Sequence, residues 1–163
     1  MLLPITIEPN EVLHKKGDLV DIEKINIPGF QKFIDDMIET MYKKDGVGLA
    51  SPQIGESLQI CVITKEYSTF QNEEDMVLIN PVWKKLSRWQ SWDEEGCLSV
   101  PETYGKVKRY KKIRVKALNR HGEDIEFETE GFFARIIQHE VDHLNGILFI
   151  EKAKNIRKIE KEI

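Results

Sequence analysis

The chain has 163 residues, 40% hydrophobic and 32% charged, proportions that suit one folded unit of ordinary size and exclude collagen, coiled coil and wholesale disorder. Lys and Arg number 24 against 28 Asp and Glu, so the formal charge of -4 supplies no general attraction to DNA or to an anionic membrane. No apolar run approaches the ~18 residues that cross a bilayer, and the start, Met1-Leu2-Leu3-Pro4-Ile5, lacks the basic region of a secretory signal, which predicts a cytoplasmic protein.

After an extended N-terminal stretch, Phe30, Phe33, Ile34, Met37, Ile38 and Met41 recur at helical spacing from just after Pro28-Gly29 to Lys43-Lys44. This predicts an amphipathic helix whose stripe packs against a sheet. A glycine-rich loop follows over 45–55, then strands over 59–64, 76–83 and 86–92, with Pro81 marking an edge or a bulge in the second. Residues 113–118 alternate, Asn119-Arg120-His121-Gly122 has turn chemistry, and 125–129 alternates again, a β-hairpin. Over about 132–143, Phe132, Phe133, Ile136 and Ile137 give a second helix its apolar face, and Asn145-Gly146 stops it. The segment 152–163 carries five Lys or Arg, with Ile156, Ile159 and Ile163 at helical spacing, and reads as a short amphipathic helix or a frayed tail. Cys61 sits in the apolar run Ile60-Cys61-Val62-Ile63 and Cys97 in the polar Glu95-Gly96-Cys97-Leu98-Ser99, settings too unlike to suggest a disulfide. The order, with no repeat or linker, predicts one α+β domain over 1–163, its mixed or antiparallel sheets packed around the second helix.

That helix carries His139-Glu140-Val141-Asp142-His143. Histidines four apart share one helix face and can hold one divalent metal, while Glu140 on the next stave reaches the remaining coordination sphere. The same residues also suit two hydrogen-bonded histidines on a buried helix. A catalytic metal site takes three protein ligands and keeps one position open. Where a metzincin has its third histidine this chain has Phe149. A downstream glutamate, as in thermolysin-like peptidases, has Glu160 and Glu162 as candidates, and Cys97 offers a thiolate suited to zinc or iron(II). On the residues alone both endings stay open.

Three segments taken together resemble, in order and spacing, the signature motifs of the peptide deformylase family: Gly46-Val47-Gly48-Leu49-Ala50-Ser51-Pro52-Gln53-Ile54-Gly55, Glu95-Gly96-Cys97-Leu98-Ser99 and Gln138-His139-Glu140-Val141-Asp142-His143-Leu144. The resemblance covers about residues 5–150. The first segment is no dinucleotide fingerprint, because it follows a helix and has Ser51 where the third glycine belongs. The resemblance implies that Cys97, His139 and His143 bind one divalent ion, commonly iron(II), with zinc, nickel or cobalt accepted by the same ligands. The reaction implied is hydrolysis of the N-formyl group from the initiator methionine of nascent polypeptides, releasing formate. Glu140 would be general base and then general acid, and the Gln53 side-chain amide with the Leu98 backbone N–H the oxyanion hole. An extended substrate would lie against the glycine-rich loop, where Gly46 and Gly48 admit its backbone. Its methionine pocket would be lined by Val47, Phe132, the Arg135 stem, Ile136 and the His139 ring. Departures are Ser51 in place of a common alanine and Tyr104 in place of an arginine that in many relatives helps position the substrate or the second motif. Arg109 matches a basic family position, suited either to pairing with Asp142 or another acid or to an exposed place on the surface, and Glu95 is expected to brace the metal loop. The rival readings are a peptidase that takes Glu160 or Glu162 as third ligand, and a non-catalytic relative that binds nascent chains or the ribosome, its basic tail 152–161 against ribosomal RNA.

Overall fold

The computed structural model describes residues 1–68 and 74–159. In chain order its elements are the single helical turn α1 (Ile22–Ile25), α2 (Pro28–Lys43), β1 (Gly48–Ala50), β2 (Ile60–Ile63), β3 (Met76–Lys85), β4 (Gln90–Cys97), β5 (Val100–Tyr110), β6 (Lys112–Leu118), β7 (Asp124–Glu130), α3 (Gly131–Leu144) and β8 (Lys154–Lys158). A strand apolar at every position must be covered on both faces, and β2 is such a strand. It lies in a five-stranded antiparallel sheet of order β1-β2-β3-β6-β7. On one face Cys61, Ile63, Leu78, Ile113 and Val115 meet Ala134, Ile137, Val141 and Leu144 of α3. On the other, Ile60, Val62, Val77 and Ile79 meet Ile34, Met37 and Met41 of α2. The helical stripe of α2 is therefore core, as its spacing predicts, and α3 is buried by the sheet from which it descends. Burial also pushes the Cys61 thiol well above its ordinary value, so that residue is inert packing. Both cysteines are free.

A second, three-stranded antiparallel sheet, β4-β5-β8, stands beside the first. The 11-residue β5 is not predicted by apolar alternation, because its inward positions are Thr103, Gly105, Val107 and Arg109, of which one alone is a large apolar residue. The predicted strand over 86–92 divides: β3 ends at Lys85, the Ser87 hydroxyl accepts from the Trp89 N–H in a local turn, and β4 begins at Gln90. The N-terminal stretch predicted as extended holds two short helical turns, capped by Asn10 and Asp21. Pro81 lies beside a bulge, where the β3–β6 register shifts between Ile79 and Val82 and Asn80 takes φ +51°. The hairpin β6–β7 forms as predicted.

Over 154–158 the chain is not helical; it pairs with the edge of β5 as β8, Asn155 at φ +54° being incompatible with a continuing helix, and residues 160–163 of the predicted segment lie outside the described residues. Asn145-Gly146 ends α3 as predicted. Gly146 has φ +75°, and a Cβ there would lie 2.7 Å from the His14 backbone, so both conformation and space require glycine. Among the described residues no helix is long and apolar enough to cross a membrane.

Candidate metal centre and active site

Helix α3 sets His139 and His143 one turn apart, ring centroids 5.0 Å from each other, and β4 ends by delivering Cys97 opposite them at a register shift between Gly96 and Cys97. Cys97 Sγ lies 3.3 Å from His143 Nε2, and the donor atoms of Cys97, His139 and His143 all fall within 4.8 Å of one another. Bonds of ~2.3 Å to sulfur and ~2.0 Å to nitrogen at a tetrahedral angle put such donors about 3.5 Å apart, so the trio fits one zinc- or iron-sized ion. The charge environment agrees. Burial opposes a charge on His139, but hydrogen bonds to Cys97 and Glu95 and the nearby Glu140 carboxylate push its ring up to about 10. A field that retains a proton so firmly also favours a metal cation there. Burial and the charge on His139 hold His143 well below its usual value, in the neutral form that ligates.

Glu95, inward on β4, braces this centre as the sequence suggests. Its Oε1 sits 2.8 Å from His139 Nδ1, which turns Nε2 of that ring toward Cys97 and His143. The same carboxylate accepts from Arg109 at 2.9 and 3.0 Å and from Arg135 at 2.6 Å, all buried. Burial alone would raise its pKa, but His139 and Arg109 hold it well below the usual carboxylate range. Arg109 also donates to Asp142, which Lys152 reaches at 3.0 Å, tying β5 to α3. Arg135 lines the cleft as expected of its stem, while its guanidinium is committed to Glu95, Val107 O and Ser91 O.

Above the trio opens a cleft of ≈ 560 Å³. Gly46, Val47, Gly48, Gln53, Leu98, Phe132, Ile136 and Glu140 border it, together with Cys97 and His139, while His143 lies buried beneath. Gln53 Nε2 points at Cys97 Sγ (3.4 Å) and Ser99 Oγ (3.3 Å), and its Oε1 accepts from the Ala50 N–H at 2.9 Å, which locks the amide. Glu140 is buried, with Oε2 lacking a partner among the described residues, a cost that a bound reactant would remove. Burial pushes its carboxyl up to about 7, with Glu95 adding to the rise and His139 opposing it.

The requirement for Gly48 follows. A Cβ there would lie 2.8 Å from Glu140 Oε1, so the carboxylate rests directly on backbone. Gly48→Ala is expected to displace Glu140 and cut turnover about 10- to 100-fold, given how steeply proton transfer depends on placement. Steady-state kinetics beside a melting curve that moves little would check it. The sequence offered no sign of the cleft's far wall: Pro101, Glu102 and Ile159 border it, the first two on the strand that alternation hides and the last beyond the unexpected β8.

The sequence pattern of the polypeptide deformylase family matches residues 2–159. A peptide deformylase of Symbiobacterium thermophilum is 44% identical over 161 residues, covering 99% of this chain and 71% of the relative. A class I type b peptide deformylase of Acinetobacter baumannii, solved with actinonin, superposes with a TM-score of 0.86 at 36% identity, covering 94% of this chain and 99% of that one. The same enzyme solved with Met-Ala-Ser gives a TM-score of 0.85 at 36% identity, with 93% and 98% covered. Site geometry, sequence and superposition agree, and the chain belongs to the polypeptide deformylase family.

Proposed function

We propose that this chain hydrolyses the N-formyl group from the initiator methionine of nascent polypeptides and releases formate. The reading is carried by one juxtaposition: a Cys-His-His donor set beside a buried carboxylate, Glu140, that belongs to none of the three. Cys97, His139 and His143 would hold one divalent ion, for which we assign iron(II) as the physiological metal, with zinc, nickel or cobalt accepted by the same thiolate and imidazoles. When bound, such an ion supplies Lewis acidity, lowering the pKa of a water and polarising the formyl oxygen.

The chain's own residues do the rest. Glu140, with its carboxyl near neutrality, takes the proton of the attacking water and later gives it to the departing amine. The locked Gln53 amide and the Leu98 backbone N–H donate to the oxygen on which charge grows. β1 is an edge strand, and Gly46, Val47 and Gly48 run along the cleft, an arrangement suited to receiving an extended peptide as an added strand. The methionine side chain enters between Val47, Phe132 and Ile136 over the Arg135 stem, where apolar depth suits an unbranched thioether. That the Acinetobacter enzyme was solved with Met-Ala-Ser bound supports a peptide ligand here.

We place the reaction in the cytoplasm, with the exposed Lys154, Arg157 and Lys158 of β8 facing the ribosome, and without membrane or DNA partners. A donor set completed by Cys97 leaves no need for a downstream glutamate, and Glu160 and Glu162 lie outside the described residues. The metal-loaded protein is expected to release one formate per formyl-Met-Ala-Ser consumed and to stop on chelation. Cleavage of an internal peptide bond without formate would instead establish the peptidase reading.

A further inference from the structure

Strand β8 raises a question of purpose. All five of its residues are exposed, so it adds nothing to the core, yet three separate devices hold it on β5. Ile156 packs on Gly105, where a Cβ would come within 3.3 Å of its Cγ1. Arg157 lies over the Tyr104 ring, 5.9 Å from its centroid, and its Nε donates to Glu94 on β4 at 3.0 Å, spanning all three strands. Beyond the strand, the Ile159 N–H donates to the Glu102 carbonyl at 2.7 Å. Glu102 has φ +59°, a conformation that residues with a Cβ keep only where their surroundings impose it. Tyr104 is fixed from below as well: a Cβ on Gly96, the neighbour of Cys97, would lie 2.8 Å from its ring.

These anchors converge on one result. They place Ile159, 45% exposed, on the border of the catalytic cleft, a border to which Pro101, Glu102 and Tyr104 of β5 also belong. The cleft is larger than a formylmethionine fills, and an extended chain advances ~3.3 Å per residue, so the residues after the methionine still meet its walls. Arg157 pairs with Glu94, so one wall carboxylate is neutralised, and Pro101, Tyr104 and Ile159 give apolar surface to a border that Glu102 shares.

Resting on the deformylase reading, we propose that the C-terminal strand is a specificity element: Ile159, held by the Arg157 clamp, forms with Pro101 and Tyr104 a subsite for an apolar side chain downstream of the methionine. Ile159 is thus a positioning residue that binds the following peptide and leaves the reacting atoms to Glu140 and the metal ligands.

The test compares kcat/KM for formyl-Met-Leu-Leu with that for formylmethionine amide, using metal-loaded full-length protein. Ile159→Ala is expected to lower the ratio of the two about 5-fold, the scale of losing part of one aliphatic contact, through KM on the tripeptide and not through kcat. Ile159→Leu should restore the ratio, and Arg157→Ala, which releases the clamp, should lower it in the same direction. A ratio unchanged in both alanine variants, with formate released normally, would overturn the subsite while leaving the deformylase reading intact. No formate from either substrate with wild-type protein would overturn both.

Discussion

Replacing Glu140 by alanine is expected to slow formate release by about 10³-fold or more, toward the upper end of what general acid–base catalysis contributes, while the metal stays bound. The separation is possible because the donor trio does not include Glu140. Its carboxylate rests on Gly48, with one oxygen unpartnered among the described residues. Glu140→Gln keeps the shape and removes the proton function, so it should be nearly as slow. The pH dependence has a definite sign. A general base must be ionised, so kcat/KM rises as pH climbs through its pKa. Burial sets that near 7 in the protein alone, and the charge of a bound cation lowers it, placing the acid limb at or below neutrality. That limb should vanish in the glutamine variant. Turnover within tenfold of wild type for either substitution, with metal content equal, would remove Glu140 from the proton path.

The largest effect on stability belongs to Glu95. Glu95→Ala leaves Arg109 with Asp142 as its one carboxylate and Arg135 with none, their side chains being 4% and 7% exposed, and removes the acceptor that orients His139. Breaking a buried pair from one side costs about 3–5 kcal/mol, and here two cations lose one anion. Urea unfolding at pH 7 should show a loss of this size, with weaker metal retention beside it. Because the folded carboxyl titrates below its unfolded value, its contribution is whole above about pH 4.5 and is lost as pH falls toward the folded value. The advantage of wild type over Glu95→Gln should therefore narrow between pH 7 and pH 3.

What the sequence revealed, and what it hid, follows from which residues fill each layer. β2, α2 and α3 were legible because apolar side chains form their buried faces. The second sheet was not, since its inward faces are occupied by Glu95, Arg109, Thr103 and Gly105, whose burial is made tolerable by ion pairing with α3 and by the close approach of β8. The tail reads as helical for a different reason. Its isoleucines recur at helical spacing, but Ile156 sits against Gly105 and the strand bulges at Asn155.

The site was more legible than the fold around it. His139 and His143 needed only helix geometry, and Cys97 needed the motif, because 42 residues separate it from His139 and no local period relates them. The packing of Glu140 on Gly48 joins two motifs that sequence spacing leaves unrelated. The part played by Glu95 was foreseen as a brace, whereas its sharing between two arginines and a histidine emerges only from the pairing of β4 with β5 and α3.

The central claim is that one sulfur and two imidazole nitrogens hold a single cation. X-ray absorption at the metal edge of anaerobically purified protein examines it directly. One metal per chain is predicted, with one sulfur near ~2.3 Å and two nitrogens near ~2.0 Å in its shell, the sulfur lost along with most of the metal in Cys97→Ala. A shell built only of nitrogen and oxygen, unchanged by that substitution, would contradict the account.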